Sequence, residues 1–423
     1  MLRRFCSLLA VLVLISVSHA AEGLKAGDSV AIIGDSITEQ KLYSVYMEDY
    51  LLMCKPALDL KTCQFGWSGE TSWGFLARMN NDVTWFHPTV ATTCYGMNDG
   101  GYGPMKPDTA KKYRDSQKAI VQQFKKMGVR LIVVGSPGCV DADTFHKSTE
   151  AAVMYNKTLA AERDIAKEVA EEEGVVFADV YDTMFDAMTK AKAKLGSNHA
   201  FAGGDGVHPG PNGQLAMAYA FLKALGCDGN IGTITIDLGA GKAEASEGHK
   251  VLSYQDGAAE IESSRYPFCF YGDPAGQSTR SAIEFLPFNE DLNRFKLVVK
   301  GAKSDQVKVT WGSAEKTFSK ADLEKGINLA AEFIENPFSG PFINPLSGPF
   351  MKVQQAVQAQ QNLETPLHKV WVHNLQPIRE QLPEAKEQAE QIVALAAKKR
   401  QKLADASSAA VVPVKHTIKI DSK

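Results

Sequence analysis

Long apolar runs are almost absent from this chain: Leu8 to Val17 is the one that stands out, and it lies at the start of the sequence. Nothing later approaches the roughly 18 apolar residues that a membrane-spanning helix requires, so stable membrane insertion is not expected. An excess of either charge is also missing. With 46 Lys and Arg against 49 Asp and Glu, the composition gives no reason to expect a nucleic-acid or anionic-membrane partner. No C-x-x-C and no H-E-x-x-H occurs, which argues against a structural or catalytic zinc, and no cofactor is expected. Cysteine is scarce, seven residues in all. Cys94 falls inside an apolar strand-like run and reads as a buried free thiol; the pairing of the others cannot be deduced from sequence.

The run at the start has a second meaning. Arg3 and Arg4 precede it, and Ser18-His19-Ala20 follows with small residues suited to cleavage. Residues 1–20 therefore read as an export leader, too short to span a bilayer. The expectation is an exported protein, periplasmic or extracellular, with Cys6 lost and six cysteines kept.

From Asp28 to about Leu225, apolar runs alternate with helical stretches. Ser29–Ile33, Leu60–Phe65, Val90–Tyr95, Leu131–Gly135 and Val175–Val180 read as strands. Leu42–Met53, Ser72–Met79, Thr109–Met127, Ala151–Glu173 and Pro211–Leu225 read as helices. This alternation predicts an α/β fold, a flavodoxin-like three-layer α/β/α domain over 21–227 with a central parallel sheet. After Cys227 the pattern changes to short strands separated by Gly, Asp and Asn: Thr233–Leu238, Lys250–Leu252, Ala258–Glu262, Ala282–Phe285, Phe295–Val299 and Val307–Trp311. They suggest a small all-β module over 228–318, of roughly eighty-five residues and suited to a sandwich. Helices return over 319–423, and Val414–Ile420 reads as a final strand able to rejoin that module. In Pro383–Ala404, the late cluster Lys398, Lys399, Arg400 and Lys402 reads as a solvated helix end.

In parallel sheets, chemistry belongs to the loops that leave the carboxyl ends of strands. Gly34-Asp35-Ser36 follows the first strand and presents a serine to the crevice. A hydroxyl is a weak nucleophile without a positioned base. Asp205-Gly-Val-His208-Pro209, just before the closing helix, offers one: a carboxylate three residues ahead of an imidazole can hold its Nδ1–H and leave Nε2 to take the serine proton. Taken separately, each stretch is also ordinary turn or cap chemistry. Gly66-Trp-Ser-Gly69-Glu-Thr follows the second strand and Gly96-Met-Asn98-Asp the third. They offer the Gly69 N–H and the Asn98 amide as donors which, with the Ser36 N–H, can form an oxyanion hole. Four loops at successive strand ends make coincidence the poorer explanation. A G-x-S-x-G elbow is absent, which disfavours the α/β-hydrolase fold.

These four blocks resemble those of the SGNH-hydrolase (GDSL-like esterase/lipase) superfamily: Gly34-Asp35-Ser36-Ile37, Ser68-Gly69-Glu70-Thr71, Gly96-Met97-Asn98-Asp99 and Asp205-Gly206-Val207-His208-Pro209. Ile37 stands where many members have Leu. The resemblance covers about Gly27 to Leu225. It implies a serine esterase with Ser36 as nucleophile, Asp205 and His208 completing a triad, and Ser36, Gly69 and Asn98 lining the oxyanion hole. The expected partner is a small-molecule or polysaccharide ester. Export and three aromatic residues near the loops, Trp67, Trp73 and Tyr102, suit an O-acetyl esterase acting on carbohydrate. Lipase, lysophospholipase or thioesterase activity, and a non-catalytic polysaccharide- or surface-binding role, are the alternatives. A near-repeat, Asn336-Pro-Phe-Ser-Gly-Pro-Phe342 and Asn344-Pro-Leu-Ser-Gly-Pro-Phe350, is rigid and aromatic. The expectation tested below is that it lies beside the crevice, against the alternative that it staples the β module to the C-terminal helices.

Overall fold

The computed structural model describes residues 23–341 and 347–422; the leader reading falls on residues outside this range. Strands β1 (Ser29–Gly34), β2 (Lys61–Gln64), β3 (Val90–Cys94), β4 (Leu131–Gly135) and β5 (Val176–Ala178) form one parallel sheet in the order β2-β1-β3-β4-β5. Between them run α1 (Ser36–Glu39), α2 (Tyr43–Asp49), α3 (Ser72–Asp82), α4 (Pro107–Lys126) and α5 (Thr149–Glu173). Helices α6 (Val180–Leu195) and α7 (Pro211–Ala224) follow β5, so the Asp205–His208 block joins two helices and does not follow a strand. Alternate residues of β1 feed opposite faces. Val30 and Ile32 pack with Tyr43, Met47 and Phe221, whereas Ala31 and Ile33 pack with Phe75, Tyr113 and Phe124. Burial on both faces explains why β1 and β4 read as continuous apolar runs, whereas the edge strand β2 is Lys61-Thr-Cys-Gln64. The chain order reverses across β1 and β3, so the crevice lies at their carboxyl ends.

The next region holds two sheets. Strands β6 (Asn230–Asp237), β7 (Lys242–Ala245), β10 (Arg294–Lys300) and β13 (Ile327–Asn328) make one, in the order β13-β10-β6-β7. Strands β8 (His249–Gln255), β9 (Ala258–Ser263), β11 (Gln306–Trp311), β12 (Ala314–Ser319) and β14 (Val414–Asp421) make the other, in the order β12-β11-β14-β9-β8. The chain's last strand is thus the middle of the second sheet, and it alternates buried and exposed residues along its length. Ala282–Phe285 is not a strand. Ser278 caps a helical turn over Thr279–Ala282, accepting from Ser281 N at 3.2 Å. Ala282, Phe285 and Leu286 are buried at helical spacing, which a short apolar run conceals. Edge strand β7 alternates charged and alanine residues over only four positions, too short and too weakly apolar to stand out, and edge strand β12 shows no alternation.

Helix Pro349–Pro366 lies along α2 and the outer edge of β2. Its buried face is apolar in the first half (Phe350, Val353, Val357) and polar in the second. Gln360 and Gln361 donate to the two Glu48 oxygens at 2.8 and 2.7 Å, and Glu364 Oε2 accepts from Gln64 N at 2.9 Å. Arg400, from helix Lys386–Ala409, donates to Glu364 Oε1 at 2.8 Å and to the Thr62 carbonyl. Open strand-edge groups of β2 are satisfied this way. The solvated-end reading therefore needs correcting: Lys398, Lys399 and Lys402 are exposed but Arg400 is buried. The carboxylate and strand edge beneath it supply the partners that a buried guanidinium needs.

The doubled segment is also corrected. Phe338 is fully buried in the β module, with ring centres 5.1 Å from Tyr266, 5.3 Å from His416 and 6.0 Å from Trp311. Phe350 packs on Phe268 at 5.0 Å, at the head of helix Pro349–Pro366. The described part of the segment staples the module to that helix and does not border the crevice; Phe342 and Asn344 lie outside the described residues.

Candidate active site

Strand β1 delivers Ser36 at its carboxyl end. Gly34 closes the strand where no side chain fits: an added Cβ would meet Thr38 Oγ1 at 2.1 Å and the Cys94 carbonyl at 2.9 Å. Asp35 then caps α1, its carboxylate accepting from Ile37 N at 2.9 Å. Ser36, the first residue of α1, is half-buried, and its Oγ lies 2.9 Å from His208 Nε2.

The His208 loop is held from its own residues and from two neighbours. Asp205 Oδ2 accepts from His208 Nδ1 at 2.7 Å, while Oδ1 accepts from the backbone N–H groups of His208 and Val207 at 2.9 and 3.0 Å. The capping role and the orienting role of Asp205 coexist. Burial pushes its carboxyl up, but the bonds from His208 and Val207 outweigh this and hold it below the usual range. Gly203 lies at φ +82°, and an added Cβ there would stand 1.8 Å from the His208 carbonyl oxygen. From outside, Asp141 N donates to the Gly206 carbonyl at 2.9 Å and His146 N to the Asp205 carbonyl at 3.2 Å. With Nδ1–H on the carboxylate, the Nε2 lone pair faces the serine hydroxyl.

Gln214 is a residue the sequence reading passed over. Fully buried in α7, it accepts from Tyr43 N at 3.0 Å and donates to Gln40 Oε1 at 2.7 Å, with longer contacts to the Ile37 and Pro209 carbonyls at 3.3 and 3.4 Å. It ties the helix that carries Ser36 to the loop that carries His208. The available signal was a pair of amides, Asn212 and Gln214, in the otherwise apolar helix of residues 211–224, where an unpaired polar group would be costly.

Asn98 joins the remaining loops. Its Nδ2 donates to the Glu70 carbonyl at 3.1 Å and approaches Asp35 Oδ2 at 3.4 Å. Glu70 follows Gly69 and Asp35 precedes Ser36, so one amide gathers the three segments expected to supply donors. Gly69 is exposed at φ +73° with open space around it. Among the described residues, no protein acceptor is found for the N–H of Ser36 or of Gly69.

Below this surface is a buried ionic layer. Arg78 donates to both Glu70 oxygens at 2.6 and 2.7 Å and to Asp82 at 3.1 Å, and Tyr95 OH donates to Glu70 at 2.7 Å. Asp99 accepts from Ser72 N at 2.9 Å and from Gly96 N at 3.1 Å. Burial, reinforced by Asp99 and Glu70, pushes the Asp35 carboxyl up to about 7; burial also raises Asp99 to about 6 despite its hydrogen bonds. Among the described residues, no group of three His, Cys, Asp or Glu side chains is placed to hold a metal ion.

All three aromatic residues expected near the site have ring partners; Tyr102 has Lys147 Nζ 5.4 Å from its ring centre. The Trp67 ring has Arg78 and Lys369 at 4.7 and 4.9 Å from its centre, and Trp73 has Lys112 Nζ at 3.8 Å. Only Tyr102 reaches toward the centre. Its hydroxyl is 3.5 Å from Asn98 Oδ1, and its ring stacks on Tyr155 at 5.0 Å. All six cysteines among the described residues are buried free thiols.

Residues 32–216 match the GDSL-like Lipase/Acylhydrolase family. Over these residues, a little under half of the chain, it is an SGNH-type, GDSL-like hydrolase domain, a class that hydrolyses ester bonds. Among curated proteins it is similar to an acetylxylan esterase of Geobacillus stearothermophilus, 23% identical over 222 residues, spanning 48% of this chain and 95% of the relative. Among solved structures, a gut microbial diltiazem-metabolizing enzyme superposes with a TM-score of 0.71 at 22% identity, covering 96% of this chain and all of the other. That fold therefore includes the β module and C-terminal helices.

Proposed function

We propose that this protein is an exported O-acetyl esterase acting on carbohydrate, with Ser36 as nucleophile, His208 as base and Asp205 orienting the base. The observation that carries the catalytic part is the unbroken chain Ser36 Oγ–His208 Nε2 and His208 Nδ1–Asp205 Oδ2, at 2.9 and 2.7 Å. His208 takes the Ser36 proton as Oγ attacks the ester carbonyl. The resulting oxyanion is held by the Ser36 and Gly69 N–H groups and by the Asn98 amide, which gives up its long 3.4 Å contact with Asp35 Oδ2 to do so. His208 then protonates the departing alcohol, and water, deprotonated by the same imidazole, releases the acyl group from Ser36. The substrate part is supported by the likeness to an acetylxylan esterase and by Tyr102, an aromatic face beside Asn98 on which a sugar ring can rest. Export rests on the character of residues 1–20 alone.

The test is a screen with acetylated xylo-oligosaccharides, other acetylated sugars, acyl-thioesters and p-nitrophenyl esters of increasing chain length, alongside fluorophosphonate labelling. Release of acetate from sugars, and acetyl turned over faster than long-chain esters, is the expected pattern. Faster cleavage of long-chain esters would replace it with a lipase reading, and failure of the probe to label Ser36 would remove the catalytic one.

A further inference from the structure

The C-terminal helices reach the proposed active site from outside, and they do so through two adjacent residues. The π-helical turn Leu367–His373 lies against the Gly66–Gly69 loop. His368, fully buried, donates through Nε2 to the Gly66 carbonyl at 3.2 Å. Lys369 Nζ donates to Glu39 Oε1 at 2.6 Å, and the other oxygen of that carboxylate accepts from Ser68 N at 2.6 Å and Ser68 Oγ at 2.5 Å. Ser68 immediately precedes Gly69; Glu39 ends the short helix that Ser36 begins. The loop and the helix also touch through backbone: a Cβ on Gly66 would stand 2.3 Å from Glu39 N.

We propose that Lys369 is a positioning residue for the Gly69 loop, acting through Glu39 and Ser68, so that the C-terminal helices form part of the esterase site. The inference rests on the reading of Gly69 as an oxyanion donor. A carboxylate that accepts from Ser68 fixes the peptide next to the Gly69 N–H, but only if its own rotamer is fixed. Lys369 supplies that constraint. The pair is shielded, with side chains 21% and 19% exposed, so it is stiffer than an open surface ion pair. Lys369 Nζ also lies over the Trp67 ring, 4.9 Å from its centre, which restricts the lysine further. Lys41 binds the Glu39 backbone carbonyl at 2.7 Å instead of the carboxylate, so it does not duplicate the contact. Burial raises the Glu39 carboxyl, and the bonds from Lys369 and Ser68 bring it below its usual range, consistent with a permanently ionised acceptor.

The experiment uses the full chain and p-nitrophenyl acetate, with Lys369→Met, Lys369→Arg, Glu39→Gln, the double variant and Ser36→Ala. Loss of a whole oxyanion donor costs about 10²–10³ in kcat. Loosening one donor should cost a fraction of that, so Lys369→Met should lower kcat roughly tenfold with KM within about twofold. Lys369→Arg should restore most of the rate. Glu39→Gln should lose kcat in the same way, and adding Lys369→Met to it should cost little more, since both act through one contact. Wild-type kcat in Lys369→Met, or a loss that appears only as a smaller folded fraction by circular dichroism, would overturn the inference. So would independent, multiplying losses in the double variant. Turnover by Ser36→Ala would overturn the active-site reading with it, whereas an inactive Ser36→Ala beside an unaffected Lys369→Met removes this inference alone.

Discussion

Replacing His416 with Gln should cancel one pH-dependent part of the stability of the β module. His416 lies buried on β14 in a continuous chain of hydrogen bonds. Trp311 Nε1–H donates to its Nδ1 at 3.1 Å, which leaves the ring proton on Nε2, 2.8 Å from Ser263 Oγ. The Ser263 hydroxyl donates to His249 Nδ1 at 2.7 Å, and His249 Nε2–H donates to the Ile231 carbonyl of the other sheet at 3.1 Å. Both rings are fully partnered while neutral, and a second proton on His416 would face the Trp311 N–H. Burial, and then the neighbouring His249, depress His416 from 6.5 to about 3. Since the folded value lies below the unfolded one, this contribution is complete above pH 6.5 and is lost as pH falls from there toward 3. Linkage of that size removes about 2 kcal/mol between pH 7 and pH 5. The raised carboxyls of Asp35 and Glu48 act with the opposite sign, so the informative quantity is the difference between two proteins. Urea unfolding of wild type and His416→Gln at pH 7, 6 and 5 measures it. The wild-type advantage should shrink by about 2 kcal/mol across that range. An advantage that stays constant with pH would refute the reasoning.

Ser36→Ala should lower esterase turnover by roughly 10⁴-fold or more while leaving the circular dichroism spectrum and melting temperature intact, and His208→Ala should do nearly the same because the two residues act as a unit. Steady-state kinetics on p-nitrophenyl acetate checks both. Asn98→Ala should reduce kcat by about 10²–10³ with a smaller change in KM; an effect confined to KM would make Asn98 a binding residue only. Phe338→Ala should destabilise the protein by about 3–5 kcal/mol, as expected for an aromatic ring lost from a packed core, measured by urea unfolding. Activity per folded molecule should stay unchanged, since the ring packs in the β module.

What the sequence determined by itself was everything that rests on local pattern. Alternating strand-like and helical stretches specified the parallel sheet, most clearly at β1 and β4, where burial on both faces demands a continuous apolar run. Ser36, Gly69 and Asn98 were legible as candidates because each sits in a short block at a strand end, whereas the Asp205–His208 pair lies in the connection between α6 and α7 and was legible only from its own three-residue spacing. The alternation in Val414–Ile420 likewise announced a half-buried strand. What only the tertiary structure decided were the partners of residues distant in sequence. Arg400 reads as one more charge in a basic helix end, until Glu364 and the open edge of β2 are placed beneath it. Gln214 is one of two amides in a largely apolar helix until it is seen linking α1 to the His208 loop. Lys369 looks like any surface lysine until folding carries it more than three hundred positions back to Glu39. Periodicity records which face of an element is buried, but it carries no information about which other element covers that face. Buried polar contacts depend on that second fact, because a desolvated charge is tolerated only where the fold brings its partner within hydrogen-bond reach.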